Sequence, residues 1–134
     1  MALNPIPFPA IATSGLVSNA TATAALPLPT TGRQMYATQA AVAGGTATAA
    51  TTLTATISNI SGGINAQGVE INTSQTFSVP VFAAGAGVDS LSGAMAVNFS
   101  APIKAVAGSQ LTLTLPAAGA GGTNAQATLI GFQV

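Results

Sequence analysis

Residues 94–134 read AMAVNFSAPIKAVAGSQLTLTLPAAGAGGTNAQATLIGFQV. Met95, Val97 and Phe99 alternate with Ala96, Asn98 and Ser100, the period of two that a strand with one buried face imposes. A proline, a single lysine and a Gly turn follow, and then Leu111, Leu113 and Leu115 alternate with Gln110, Thr112 and Thr114. Pro116 ends that run because it has no N–H to give to a ladder. The Gly/Ala loop at 117–122 reverses the chain, and 127–134 supplies an apolar closing strand. Three strands joined by turns cannot bury a face alone, so the preceding residues must provide an opposing sheet.

Those preceding residues carry strand patterns of their own. Residues 21–28 (TATAALPL) predict a first strand, stopped by Pro27 and Pro29. Residues 33–42 predict a second, with Met35, Ala37 and Ala41 on one face and Gln34, Tyr36 and Thr38 on the other. The longest alternation is 46–58, where Ala47, Ala49, Leu53, Ala55 and Ile57 oppose a comb of Thr46, Thr48, Thr52, Thr54 and Thr56; β-branched threonines on a wet face favour strand over helix. Gly62 and Gly63 predict an irregular stretch, with a short strand at 69–72, another at 76–82 containing Pro80, and a loop over 83–93. The pattern is all-β: about eight strands in an antiparallel two-sheet sandwich, jelly-roll-like, with an extended N-terminal arm. The expected organisation is a Pro-rich arm over 1–20 and a β-sandwich domain over 21–134.

Pro5, Pro7 and Pro9 fix the start of that arm in an extended, polyproline-like form. Such an arm is either held by its own domain or laid along a partner. The second alternative makes Pro5, Ile6, Pro7, Phe8 and Pro9 the candidate contact residues, because an unpartnered Phe8 would expose apolar surface without use.

Composition narrows the function classes. The chain has 134 residues, enough for one core. Nearly half of its 49% hydrophobic content is alanine and its aromatic content is 4%, with no Trp, so the core is thin and association is an expected source of stability. Charged residues make up 3%, namely Arg33, Lys104, Glu70 and Asp89, against roughly 25% in ordinary soluble chains. A neutral surface of this kind self-associates. Two basic side chains cannot neutralise a run of phosphates, so neither nucleic acid nor a membrane is an expected partner. The proline-broken N-terminus does not read as a signal peptide, and no long, strongly apolar run predicts a membrane span.

Little in the chain points to chemistry. There is no His and no Cys, which removes the commonest general base and the best nucleophile. Glu70 and Asp89 are the sole carboxylates for an acid/base dyad, and isolated acids more often pair with bases such as Arg33 and Lys104. Asp89 with Ser90 offers too few oxygen ligands for a hard cation. The Gly85 to Gly87 and Gly119 to Gly122 runs lack the Lys-Ser/Thr and the helix of a phosphate loop. The expectation is a non-enzyme with no cofactor, metal or catalytic residue. Sequons at Asn19, Asn59, Asn72 and Asn98 arise by chance in so Thr/Ser-rich a chain.

Phe99, Pro102, Ile103, Gly108, Leu111, Leu113, Gly131 and Phe132 follow a pattern of strand, Phe-x-x-Pro-Ile, Gly turn, alternating strand, Ala/Gly loop and final strand. That pattern, with the Gly32-Arg33-Gln34-Met35-Tyr36 opening, resembles small β-sandwich structural proteins of tailed bacteriophages. The resemblance implies a virion component on the outer surface of the capsid: a decoration or cement protein that binds the major capsid protein, staples neighbouring capsomers and forms a homo-oligomer, a trimer in many such proteins. A tail, head-fibre or host-attachment protein is the alternative. An ice-binding or adhesive surface protein is a further one, prompted by the threonine comb, although flat threonine arrays need several strands in register and the sequence displays one comb.

Overall fold

In the computed structural model the described residues are 6–44, 46–47, 50–83, 94–117 and 125–134. Among them are nine strands: β1 (Phe8–Thr13), β2 (Ala22–Ala25), β3 (Met35–Ala43), β4 (Thr46–Ala47), β5 (Thr51–Ile64), β6 (Glu70–Ala83), β7 (Ala94–Lys104), β8 (Thr112–Leu115) and β9 (Gln126–Gln133). They form a four-stranded sheet in the order β1-β9-β3-β7 and a five-stranded sheet in the order β2-β8-β5-β6-β4. Four antiparallel pairs link the two halves of the chain: β1 with β9, β2 with β8, β3 with β7, and β5 with β6. The protein is thus one long hairpin rolled over on itself, with β3–β9 and β5–β8 pairs made by the rolling. This is the strand order of a jelly roll, to which the two-residue β4 adds a parallel pairing at the end of β6.

The turn of that hairpin lies where the sequence predicts irregularity. Asn65 Oδ1 accepts from the backbone N–H groups of Gln67 and Val69 at 3.0 and 2.9 Å, and Gly68 takes a φ of 77° that a side chain would resist. Gly62 and Gly63 do not end β5. A Cβ on Gly62 would meet the Thr73 Cγ2 at 2.7 Å, so the glycine lets the two strands stay close through the register shift between Ser61 and Ile64. The predicted 69–72 and 76–82 strands are consequently one 14-residue strand, β6.

The core lies between the sheets. Leu111, Leu113, Leu115, Ile57, Leu26 and Val79 from one side are buried against Met35, Val42 and Leu129 from the other, with alanines between them. Phe77 and Phe99 are only partly buried and pack on the margin of the core. Two patterns shift from expectation. A register shift between Ala37 and Gln39 changes the phase of β3, so that Ala40 and Val42 point inward and Ala41 does not. The threonine comb is not one strand either: 46–47 form β4, residues 48 and 49 lie outside the described residues, and β5 starts at Thr51.

Part of the stretch set apart as an arm is a strand of the sandwich. Phe8 to Thr13 pair along their length with β9, Ser14 N donates to the Ala127 carbonyl, and Val17 and Ala125 exchange backbone bonds. Of the two alternatives for this segment, the structure gives the first from residue 8 onward: its own domain holds it.

Candidate interaction surfaces

Three surfaces stand out, and the first contains the sequence-predicted contact residues. Pro9 is tolerated in β1 because β1 is an edge strand. With Ala10 turned into the core, alternation places Pro9 and Ile11 on the outer face. There Pro9 lies opposite Phe132 and Ile11 opposite Ile130, and the Phe132 ring stacks on Tyr36 at 5.4 Å between centroids. Phe8, at the rim, lies under the Arg33 guanidinium at 4.3 Å, a cation–π contact. Arg33 Nη1 also donates to the Ile6 carbonyl at 3.4 Å, and the Thr30 N–H donates to Gln133 Oε1 at 3.0 Å. Phe8, Thr30, Arg33 and Gln133 line a shallow cleft of about 250 Å³.

The structure therefore keeps Ile6, Pro7, Phe8 and Pro9 at the surface, while Pro5 lies outside the described residues. Ile6 is 72% exposed and Phe8 47%. Ile11, at 67%, belongs to the same surface and was missed; its place two residues beyond Pro9 on an extended chain is the signal that would have found it. The part played by Arg33 had no local signal, since 25 residues separate it from Phe8 in the chain.

The second surface is the tip of the β5–β6 hairpin, where Ile64, Val69 and Ile71 are exposed. Its base is fixed by Glu70. Ser61 Oγ donates to Glu70 Oε1 at 2.6 Å, the Ala107 N–H donates to Oε2 at 2.9 Å, and Lys104 Nζ stands 3.7 Å from Oε1. The Ser61 hydrogen bond and then the Ala107 N–H hold the Glu70 carboxyl below the usual carboxylate range against the opposing effect of desolvation, with a lesser contribution from the Lys104 charge. This carboxylate ties the hairpin to the β7–β8 connection. Asp89, the other half of the notional dyad, lies outside the described residues, as do Ser90 and the 85–87 and 119–122 glycine runs.

Asn59 has a similar structural part. It sits at the β5 register shift with φ 64°, its Nδ2 donates to the Gln110 carbonyl at 2.8 Å, and its Oδ1 accepts from Asn72 Nδ2 at 3.1 Å. Two of the four sequon asparagines thus use their amides within the fold.

The third surface is the outer face of the five-stranded sheet. Thr23 pairs with Thr114, Thr114 with Thr56, and Thr56 with Thr76, so one row of threonines crosses β2, β8, β5 and β6. Thr54 faces Ser78 in the neighbouring row, and Thr112 faces Ser58 on the other side. Adjacent strands stand about 4.8 Å apart. The sequence displays one comb, and the register aligns threonines from four strands.

Among the described residues no three His, Cys, Asp or Glu side chains gather as metal ligands, and no helix is long and apolar enough to cross a membrane. Comparison with protein-family models, with curated proteins and with solved structures gives no match.

Proposed function

We propose that this chain is a non-catalytic structural protein of a bacteriophage particle, a capsid decoration protein that holds neighbouring capsomers. The observation that carries the proposal is the apolar outer face at the β1 edge, where Pro9 and exposed Ile11 lie beside Phe132 and Ile130 and Tyr36 stacks on Phe132, with exposed Ile6 and Phe8 at its rim. Apolar side chains grouped on the outside of a nearly uncharged sandwich favour a partner surface. Jelly rolls occur in viral capsid domains, which supports the proposal by analogy of fold alone. The partners in this proposal are the major capsid protein and further copies of the chain. Cryo-electron microscopy of particles produced from the genome that encodes the chain tests it. Density for a jelly roll on the capsid exterior is expected. Density confined to the tail would replace decoration with the tail or host-attachment alternative, and absence of the chain from purified particles would end the virion proposal.

The threonine row favours a second reading, an ice-binding surface. Hydroxyl and methyl groups repeated in register over four strands, without a charge or an aromatic ring among them, present a regular lattice to water. A thermal hysteresis measurement on the purified chain tests it: unshaped ice growth at millimolar protein would rule it out.

A further inference from the structure

An open sheet has two edges, and each is a template for pairing with another chain unless something blunts it. In the four-stranded sheet, β1 carries Pro9. At the opposite edge of that sheet β7 is interrupted: Ile103 lies opposite Ala37 but Asn98 lies opposite Gln39, so residues 99–102, with Pro102 among them, buckle out of register, and Lys104 adds a charge at the strand end. In the five-stranded sheet, β2 is only four residues long and Pro27 follows it closely. Proline, bulges, charge and shortness are the devices by which natural edges avoid association.

β6 has almost none of them. It is 14 residues long, and β4 covers it only at Phe82 and Ala83. Among the described residues nothing else pairs with the outer side of Glu70 to Val81. Its sole charge, Glu70, is turned to Ser61 and Ala107 and does not guard the edge. Pro80 marks which amides face outward. A proline fits a strand where its missing N–H would point away from the neighbour, and Ser78 and Thr76 share its parity in the unbroken register from Thr76 to Val81. Their N–H groups accordingly face the open side. From Asn72 to Val79 the free edge spans about 27 Å at roughly 3.4 Å per residue.

We infer that β6 is an assembly edge, and that it pairs antiparallel with β6 of a second copy of this chain to give one sheet continuous across a two-fold axis. A second copy is the occupant that fits, because the chain's other edges are blunted and an edge free of charge is compatible with itself. Pairing of like with like closes as a two-fold contact. The inference concerns self-association in solution and stands apart from virion incorporation, so one can fail without the other.

The test is sedimentation velocity combined with hydrogen exchange on the intact chain. The wild type is expected to be a dimer whose Ser78 and Thr76 amides gain at least tenfold protection as concentration rises through the dissociation constant. Ser78→Pro, which removes one outward N–H and leaves the β5 side intact, is expected to give monomers with an unchanged circular dichroism spectrum. If that variant does not fold, the wild-type exchange data decide alone. A monomeric wild type, a trimer, or a dimer whose β6 amides exchange freely would overturn the inference, as would protection of β6 that appears only on adding capsids.

Discussion

Gly131 of β9 lies directly against the backbone of Tyr36 in β3. A Cβ at position 131 would collide with the Tyr36 carbonyl oxygen and stand 2.9 Å from its carbonyl carbon and 3.0 Å from the Ala37 Cα. The Ala37 partner in this row is itself fully buried, so neither strand has room to retreat. Gly131→Ala is expected to destabilise the fold by at least the roughly 1–3 kcal/mol of an overpacked core, read as a lower urea midpoint. An unchanged midpoint would mean that β3 and β9 do not approach in this way.

Leu113 and Thr114 are neighbours in β8 with opposite surroundings. Leu113 is fully buried beside Ile57, and Thr114 lies on the outer threonine row. Leu113→Ala should cost about 2–5 kcal/mol, a large share of the roughly 5–15 kcal/mol that holds a domain of this kind. Thr114→Ala, which removes a β-branched side chain from the outer face and its hydroxyl contact with the Thr56 carbonyl at 3.4 Å, should cost about 1 kcal/mol or less. Equal losses in equilibrium denaturation would contradict the assignment of faces.

The alternation that separates these two residues is visible in the sequence, and so is most of the architecture. β7, β8 and β9 were legible because single side chains, such as Leu113 and Thr114, report the face directly. The long hairpin was not. Gly62 and Gly63 signal a break locally, and only the approach of Thr73 shows that Gly62 keeps two strands together. Simple alternation puts Ala41 on the face of Met35 and Ala37, because nothing in residues 33–42 announces the register shift after Ala37, which is made by pairing with β7 and β9. Exposed Phe8 was legible as an apolar residue between prolines, whereas its Arg33 partner comes from topology alone. The threonine row is the plainest case: each threonine is visible, and their alignment exists only in the sheet.

Glu70 gives the hairpin base a pH dependence. Its carboxyl titrates below the ordinary value of 4.5 in the folded chain because Ser61, Ala107 and Lys104 favour the ionised form. A depressed folded-state pKa contributes stability that is fully present above the unfolded value and is lost as pH falls through the folded one. The protection factor of the Ala107 amide, relative to its intrinsic exchange rate at each pH, should therefore fall as pH drops below 4.5, and Glu70→Gln should remove that dependence. Ser61→Ala, which deletes the largest cause, should move the Glu70 titration upward by NMR. A titration that does not move would assign the shift to other groups.

Assembly of this protein should be nearly indifferent to salt. Arg33 is engaged with Phe8 and Ile6, and Lys104 with Glu70, so few charges remain to be screened. Occupancy on particles, or the dissociation constant of the self-associated form, should change less than about threefold, or roughly 0.6 kcal/mol, between 50 and 500 mM salt. A loss of a hundredfold would point to an ionic interface and against the apolar edge.

The N-terminal segment can be divided by where its pairing starts. Free-arm geometry predicts that removing residues 1–12 leaves the folded domain untouched and abolishes only contact with a partner. Pairing of Phe8 to Thr13 with β9 changes that expectation: cutting into β1 strips the ladder from one side of β9 and uncovers its edge, next to fully buried Ala127 and Leu129. Deletion of residues 1–7 should leave the thermal midpoint within a few degrees of the full chain, because Ile6 and Pro7 are exposed. Deletion of residues 1–13 should lower it markedly and promote aggregation through the new edge. If the proposal for the apolar edge is right, the shorter deletion also weakens particle binding by removing Ile6 while the fold survives. Equal stability of the two deletions would mean that β1 contributes nothing to the sandwich, and undiminished binding by the shorter one would move the contact away from Ile6.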